Sequence, residues 1–186
     1  VPVLLVHGDV HVVERILACT AGGEPGLAAG ELAGRVAGLT GSHVTVLHVM
    51  SQLPGCPVPA RAAPLQVMPQ TPAPLKVPDA QARDLGASAE QLMSGDTWEG
   101  AHLREALVIL SGMDVPAEAL VRHGLVVDEI VDETCEGDYN LVVVGSQPVE
   151  GWMRFLLNNV SQQVIGCTDR PVLVARTGDS RMAPAG

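Results

Sequence analysis

The run "YNLVVVGS", residues 139–146, is apolar at every position from Leu141 to Val144. A strand with one wet face alternates apolar and polar residues, so an unbroken apolar run needs cover on both faces. The segment therefore predicts an inner strand of a parallel sheet between two layers of helix. The rest of the chain agrees. "RILACT" (15–20), "HVTVLHVM" (43–50), "AEALVRHG" (117–124) and "RPVLVAR" (170–176) read as four more strands. The small-residue helix "LAAGELAGRVAGL" follows the first of them after the turn "GGEPG". "LVVDEIVDETCEG" (125–137) is a second helix, with Val127, Ile130, Val131 and Cys135 near a 3.6 period. Strands alternating with helices mean βαβ units and an α/β fold.

With 186 residues the chain is of single-domain size. Its hydrophobic residues are aliphatic, with two Trp, one Tyr and one Phe. That argues against single-stranded nucleic acid, which is held on aromatic platforms. A net charge of -10 also opposes phosphate backbones and anionic membranes. No nucleic acid and no membrane are expected as partners. Cys19, Cys56, Cys135 and Cys167 are widely spaced, which predicts buried free thiols in a reducing compartment rather than a zinc site. No apolar run approaches the ~20 residues of a bilayer span, and no secretory signal opens the chain. The expected location is cytoplasmic.

Eight of the fourteen prolines lie between Leu53 and Pro78, so this segment cannot be helix or inner strand. It reads as a proline-rich insert (53–78); a polyproline partner-binding role is the rarer alternative. Residues 80–111 read as helix, broken around "SGD" (94–96), with Leu85, Ala89, Leu92, Leu103, Ala106, Leu107 and Leu110 as its buried stripe. The end of the chain, 177–186, reads as a flexible tail.

A short echo is informative: "VPVLLVHGD" at 1–9 resembles "RPVLVARTGD" at 170–179. Residues 1–14 are expected to be an orphan strand and linker left from a preceding repeat, an expectation that the start at Val1 rather than Met reinforces.

Three signatures, "RILACTAGGEP", "HVTVLHV" and the block "YNLVVVGSQPVEGWMRFLLNNVSQQVIGCTDRPVLVAR", together resemble a universal stress protein domain over residues 15–176. The resemblance implies a Rossmann-like three-layer sandwich whose five parallel strands lie in the order 3-2-1-4-5. It also implies pairing of domains through the last strand, as a homodimer or within a tandem. The echo then supplies an extra N-terminal edge strand. Val3, Leu4 and Leu5 are expected against Val172, Leu173 and Val174, of the same chain or a partner, covering an open edge.

Members of that family that bind ATP carry Gly, two residues, Gly, nine residues, then Gly and Ser or Thr. Here the first glycine is Gly145, but Pro148, Asn158 and Asn159 stand at the later positions. Proline has no N–H to donate, and asparagine puts a side chain where phosphates need room. In the first turn Ala21 replaces the family's aspartate and Gly23 its serine. Glu150 sits in the loop, with no Lys or Arg before Arg154. A helix start survives, with Asn159 a good cap, while the phosphate contacts do not. Together these changes predict a site that has lost ATP, or exchanged it for a less charged ligand. If a nucleotide binds, Thr20, Gly22, Gly124, Gly145, Ser146 and Ser161 line its cleft.

Other chemistry is thin. "HGDVH" (His7, Asp9, His11) alternates like a metal triplet, but an exposed linker is the plainer account, and no metal is expected. His43 and His48 fall on opposite strand faces, His48 as a half-buried residue near the cleft; His102 and His123 have no evident partner. The carboxylates of "DEIVDE" (128–133) read as a solvated helix face. No acid–base or nucleophile constellation appears, so no enzyme is expected. The reading is a binding and regulatory module acting through dimerisation, without a cofactor; the alternative is an ATP- or AMP-binding stress sensor.

Overall fold

The computed structural model describes residues 2–6, 12–20, 23–51, 86–146 and 160–176, all but the side chain of Ser51. Ala21, Gly22, His7, Asp9, His11, Cys56, Leu85, Pro148, Glu150, Arg154, Asn158 and Asn159 lie outside them. So do the insert 53–78 and the tail 177–186.

Six strands form one sheet: β1 (Val3–Leu5), β2 (Arg15–Thr20), β3 (His43–Ser51), β4 (Ala117–Gly124), β5 (Leu141–Ser146) and β6 (Val172–Arg176). Their order is β1-β6-β5-β2-β3-β4. Without β1 this is the expected 3-2-1-4-5 sheet, and every pair within it is parallel. β1 alone runs antiparallel, with Val3 opposite Val174, Leu4 opposite Leu173 and Leu5 opposite Val172. The echo strand lies on the last strand of its own chain.

Alternation along each inner strand builds two cores. Ile16, Ala18, Val44, Val46, Leu141 and Val143 face α1 (Gly23–Thr40) and α3 (Trp98–Ser111). Leu17, Cys19, Leu47, Val142 and Val144 face the other layer, α4 (Val126–Glu136) and α5 (Val160–Cys167). The short α2 (Ala89–Ser94) precedes α3 and stops at Gly95, where the break around 94–96 was expected. Ser88 and Gln91 close a capping box at its start. Thr97 caps α3, its hydroxyl accepting from the Gly100 N–H at 3.1 Å.

α1 begins earlier than expected. Gly23, Glu24, Pro25 and Gly26 form its first turn rather than a loop before it, because a proline in the first turn forfeits no intrahelical bond. Gly23 opens it at φ +70°, a conformation that strains any residue with a Cβ. Small residues on the buried side let α1 lie close to its neighbours; at Gly34 a Cβ would press on Met113 and Leu110.

Candidate functional site at the carboxyl ends of the strands

After β1 at the edge, the chain enters the middle of the sheet at β2, adds β3 and β4 on one side, then crosses back to add β5 and β6 on the other. The reversal point is the cleft between the carboxyl ends of β2 and β5, with the first turns of α1 and α5 above it. Open α/β sheets bind ligands at such a point.

The expected site residues divide there. Thr20 ends β2, Gly145 and Ser146 end β5, and Ser161 sits in the first turn of α5, donating from its hydroxyl to the Gly145 carbonyl at 3.2 Å. These four belong to one neighbourhood. Gly124 does not. It ends β4, three strand spacings from β5, or roughly 14 Å at the usual inter-strand distance. Gly22 lies outside the described residues.

Both described glycines have a packing reason to be glycine. A Cβ on Gly145 would collide with the carbonyl of Pro25 in α1, and one on Gly124 with the carboxylate of Glu129 in α4.

Thr20 is the best-held residue of the cleft. Its carbonyl accepts from His48 Nδ1 at 3.2 Å, and its hydroxyl shares a 2.7 Å hydrogen bond with His102 Nε2. Gly26 makes room for this, since a Cβ there would strike the Thr20 hydroxyl and the His102 ring. The His48 ring also meets Trp98 edge to face, with centroids 5.9 Å apart at 87°. Burial lowers the pKa of His48, partly opposed by its bond to Thr20; burial likewise lowers that of His102, with Glu105 opposing. Both imidazoles are therefore held neutral at physiological pH.

Several expectations change here. His48 is buried, not half-buried, at 4% exposure. His102 and His123 do have partners: Thr20 for the first, the Ala87 carbonyl at 3.1 Å for the second. The carboxylates of α4 are not all solvated. Arg122 on β4 donates to Glu129 and Glu133, both at 2.7 Å, and to Glu136 at 2.8 Å. Glu133 is 8% exposed and also accepts from the Tyr139 hydroxyl at 3.0 Å. A cation on the neighbouring strand makes a buried carboxylate tolerable. Among the cysteines, Cys19 is buried but Cys135 and Cys167 are exposed. Cys135 sits on the side of α4 that the packing leaves open, although its spacing suited the buried stripe.

Acidic residues gather at this end of the sheet, with Arg176 at the end of β6, opposite Ser146, as a cation beside them. Helices α1, α3 and α4 all begin there, and their first turns carry Glu24, Glu99, and Asp128 with Glu129. Each carboxylate suits its own helix dipole and occupies the role that an anionic ligand would take. The Arg122 cation is already bonded to three glutamates.

The model of the universal stress protein family matches residues 13–176. The chain belongs to that family. Solved structures agree in fold at low sequence identity. A universal stress protein in complex with cAMP aligns at 18% identity and TM-score 0.59, covering 90% of this chain and 99% of that one. A universal stress protein of Archaeoglobus fulgidus DSM 4304 aligns at 18% identity and TM-score 0.60, covering 96% of this chain but only 50% of that chain. An Arabidopsis thaliana family protein with AMP bound aligns at 15% identity and TM-score 0.52, over 92% and 96% of the two chains. A comparison with curated proteins by sequence finds no match.

Within the family fold, residues that sequence reasoning missed stand beside the expected ones. Trp98 and His102 are four apart on α3 and so share a face. His102 precedes Ala106 by the same interval, which places it beside the buried stripe; that spacing was the available signal. Among the described residues no helix is long and apolar enough to cross a membrane, and no group of His, Cys, Asp and Glu is placed to hold a metal.

Proposed function

We propose that this family member is a regulatory binding module, not an enzyme, whose cleft has given up ATP for an adenine nucleoside or nucleoside monophosphate. The observation that carries this reading is that the first turns of α1, α3 and α4, which begin at the carboxyl end of the sheet, all carry acidic residues. A triphosphate would bring about four negative charges to these groups. Pro148 and Asn158 act in the same direction, replacing glycines where phosphates would lie, and Asn159 replaces the hydroxyl beside them. Relatives of the same fold support the smaller ligand, since two of them were solved with cAMP and AMP.

The module acts by pairing through the β6 edge, with β1 holding the place of a partner strand. The resemblance of "VPVLLV" to "RPVLVA" supports a tandem origin for β1, as does the good overlay on half of a chain about twice as long.

Titration calorimetry with ATP, AMP, cAMP and adenosine tests the ligand reading. AMP or adenosine binds in the micromolar range and ATP at least about tenfold more weakly, a difference of about 1.4 kcal/mol. ATP binding as tight as AMP restores the nucleotide-triphosphate sensor. No binding by any of the four leaves a ligand-free pairing module.

A further inference from the structure

Trp98 is one of four aromatic residues other than histidine in the chain, and 58% of its surface is open. An indole left in water forgoes the burial that normally repays so large an apolar side chain. Yet its position is not loose. The Thr97 cap fixes it at the first position of α3, and the buried His48 ring meets it edge to face. His48 in turn bonds to the Thr20 carbonyl, while His102, one turn along α3 from Trp98, bonds to the Thr20 hydroxyl. The exposed indole is thus connected, through the His48 imidazole, to the last residue of the central strand, which His102 holds from the same helix. It stands at the carboxyl end of the sheet, where α3 begins.

The charges around it define what it can hold. Glu99 follows it directly, and the neighbouring first turns are acidic, so a ligand here gains little from phosphate contacts. Affinity must come from an uncharged, planar part of the ligand. Stacking on an aromatic face supplies that and tolerates neighbouring carboxylates.

We infer that Trp98 is the base-stacking wall of the cleft: a purine ring lies on the open part of its indole, beside the Thr20, His48 and His102 cluster. This rests on the reading above that the ligand is an adenine nucleoside or monophosphate, and adds the residue that recognises its base.

The test uses the full chain and two measurements. Trp98 and Trp152 are the only tryptophans, so Trp152→Phe leaves Trp98 as the sole indole emitter. Adenosine and AMP should quench that emission saturably, with the midpoint found by calorimetry on the unaltered chain, while inorganic phosphate should not. Trp98→Ala should weaken both ligands at least tenfold, and Trp98→Phe, which keeps a ring, by less. Circular dichroism checks that each variant folds; if the alanine variant does not, the phenylalanine variant and the emission titration decide. Unchanged affinity in folded Trp98→Ala overturns the stacking wall and leaves the nucleotide reading standing. Quenching by phosphate alone overturns it too. Absence of heat and quenching with every adenine compound overturns both.

Discussion

The Thr20 hydroxyl and His102 Nε2 lie 2.7 Å apart although 82 residues separate them in sequence. That bond joins the end of the central strand to α3, and with His48 on the Thr20 carbonyl it makes a neutral, hydrogen-bonded floor for the cleft.

Acid should loosen this floor. Histidines in the unfolded chain take up protons near pH 6.5, whereas burial holds His48 and His102 below that in the fold. As pH falls below 6.5 the unfolded state therefore binds more protons, and stability declines until the folded histidines also titrate. The melting temperature should drop between pH 7.5 and 5.5. His48→Gln combined with His102→Gln should flatten that slope, at some cost in stability at pH 7.5. An equal slope in the double variant would place the acid sensitivity elsewhere.

Gly145 separates a packing role from a phosphate role. Gly145→Ala pushes a methyl group into the Pro25 carbonyl, a backbone atom that cannot swing aside. The expected loss is about 2–3 kcal/mol without any ligand, read from urea unfolding. A variant as stable as the original would mean that α1 yields there, and that glycine is kept for another reason.

Arg122 is the single cation among three glutamates. Arg122→Met leaves Glu129 and Glu133 close together and partly desolvated, which should cost about 2 kcal/mol at pH 7. Denaturant midpoints of the variant and the unaltered chain give the comparison; equal midpoints would mean that the glutamates do not depend on Arg122.

The three described cysteines should react in two classes. Burial, with Glu133 adding to it, pushes the Cys19 thiol up to about 12, so little thiolate exists at neutral pH. Cys135 and Cys167 are exposed. Brief alkylation at pH 8 followed by peptide mass spectrometry should label Cys135 and Cys167 in the native protein, and Cys19 only in denaturant.

The edge strand offers a test of pairing. β1 covers β6 through three residues, and Leu4 remains 55% exposed on it. Deleting residues 1–6 opens an apolar edge of Val172, Leu173 and Val174, which another copy can cover. Sedimentation should show a larger dimer fraction for the shortened chain. A monomer at high concentration would argue that β6 does not pair between domains.

Much of the architecture was legible because it depends on local pattern. Five strands, the break before α3 and the echo strand all follow from apolar runs, turn residues and self-similarity. What was misread depends on distant partners. Glu133 shares a helix face with Ile130, three residues earlier, yet whether a carboxylate can be buried there depends on Arg122 from β4 and Tyr139 from the segment before β5. His102 lacked a visible partner because Thr20 reaches it only once α1 and α3 pack on the same side of the sheet. Gly124 was grouped with Gly145 because both end strands, and only the sheet order sets them three strands apart.

The amino-acid order, through the period of its apolar residues and the placing of its glycines and prolines, was enough to specify a parallel sheet covered on both faces. Its altered phosphate-loop residues motivate the proposal that ATP is not its ligand. Those are statements about each segment's own backbone and surface. Which groups share the cleft, which histidines stay neutral and which indole stands open beside them were decided by packing. Hydrogen bonding and desolvation act between segments far apart in the chain, and their strength is set by distances that exist only after the layers close.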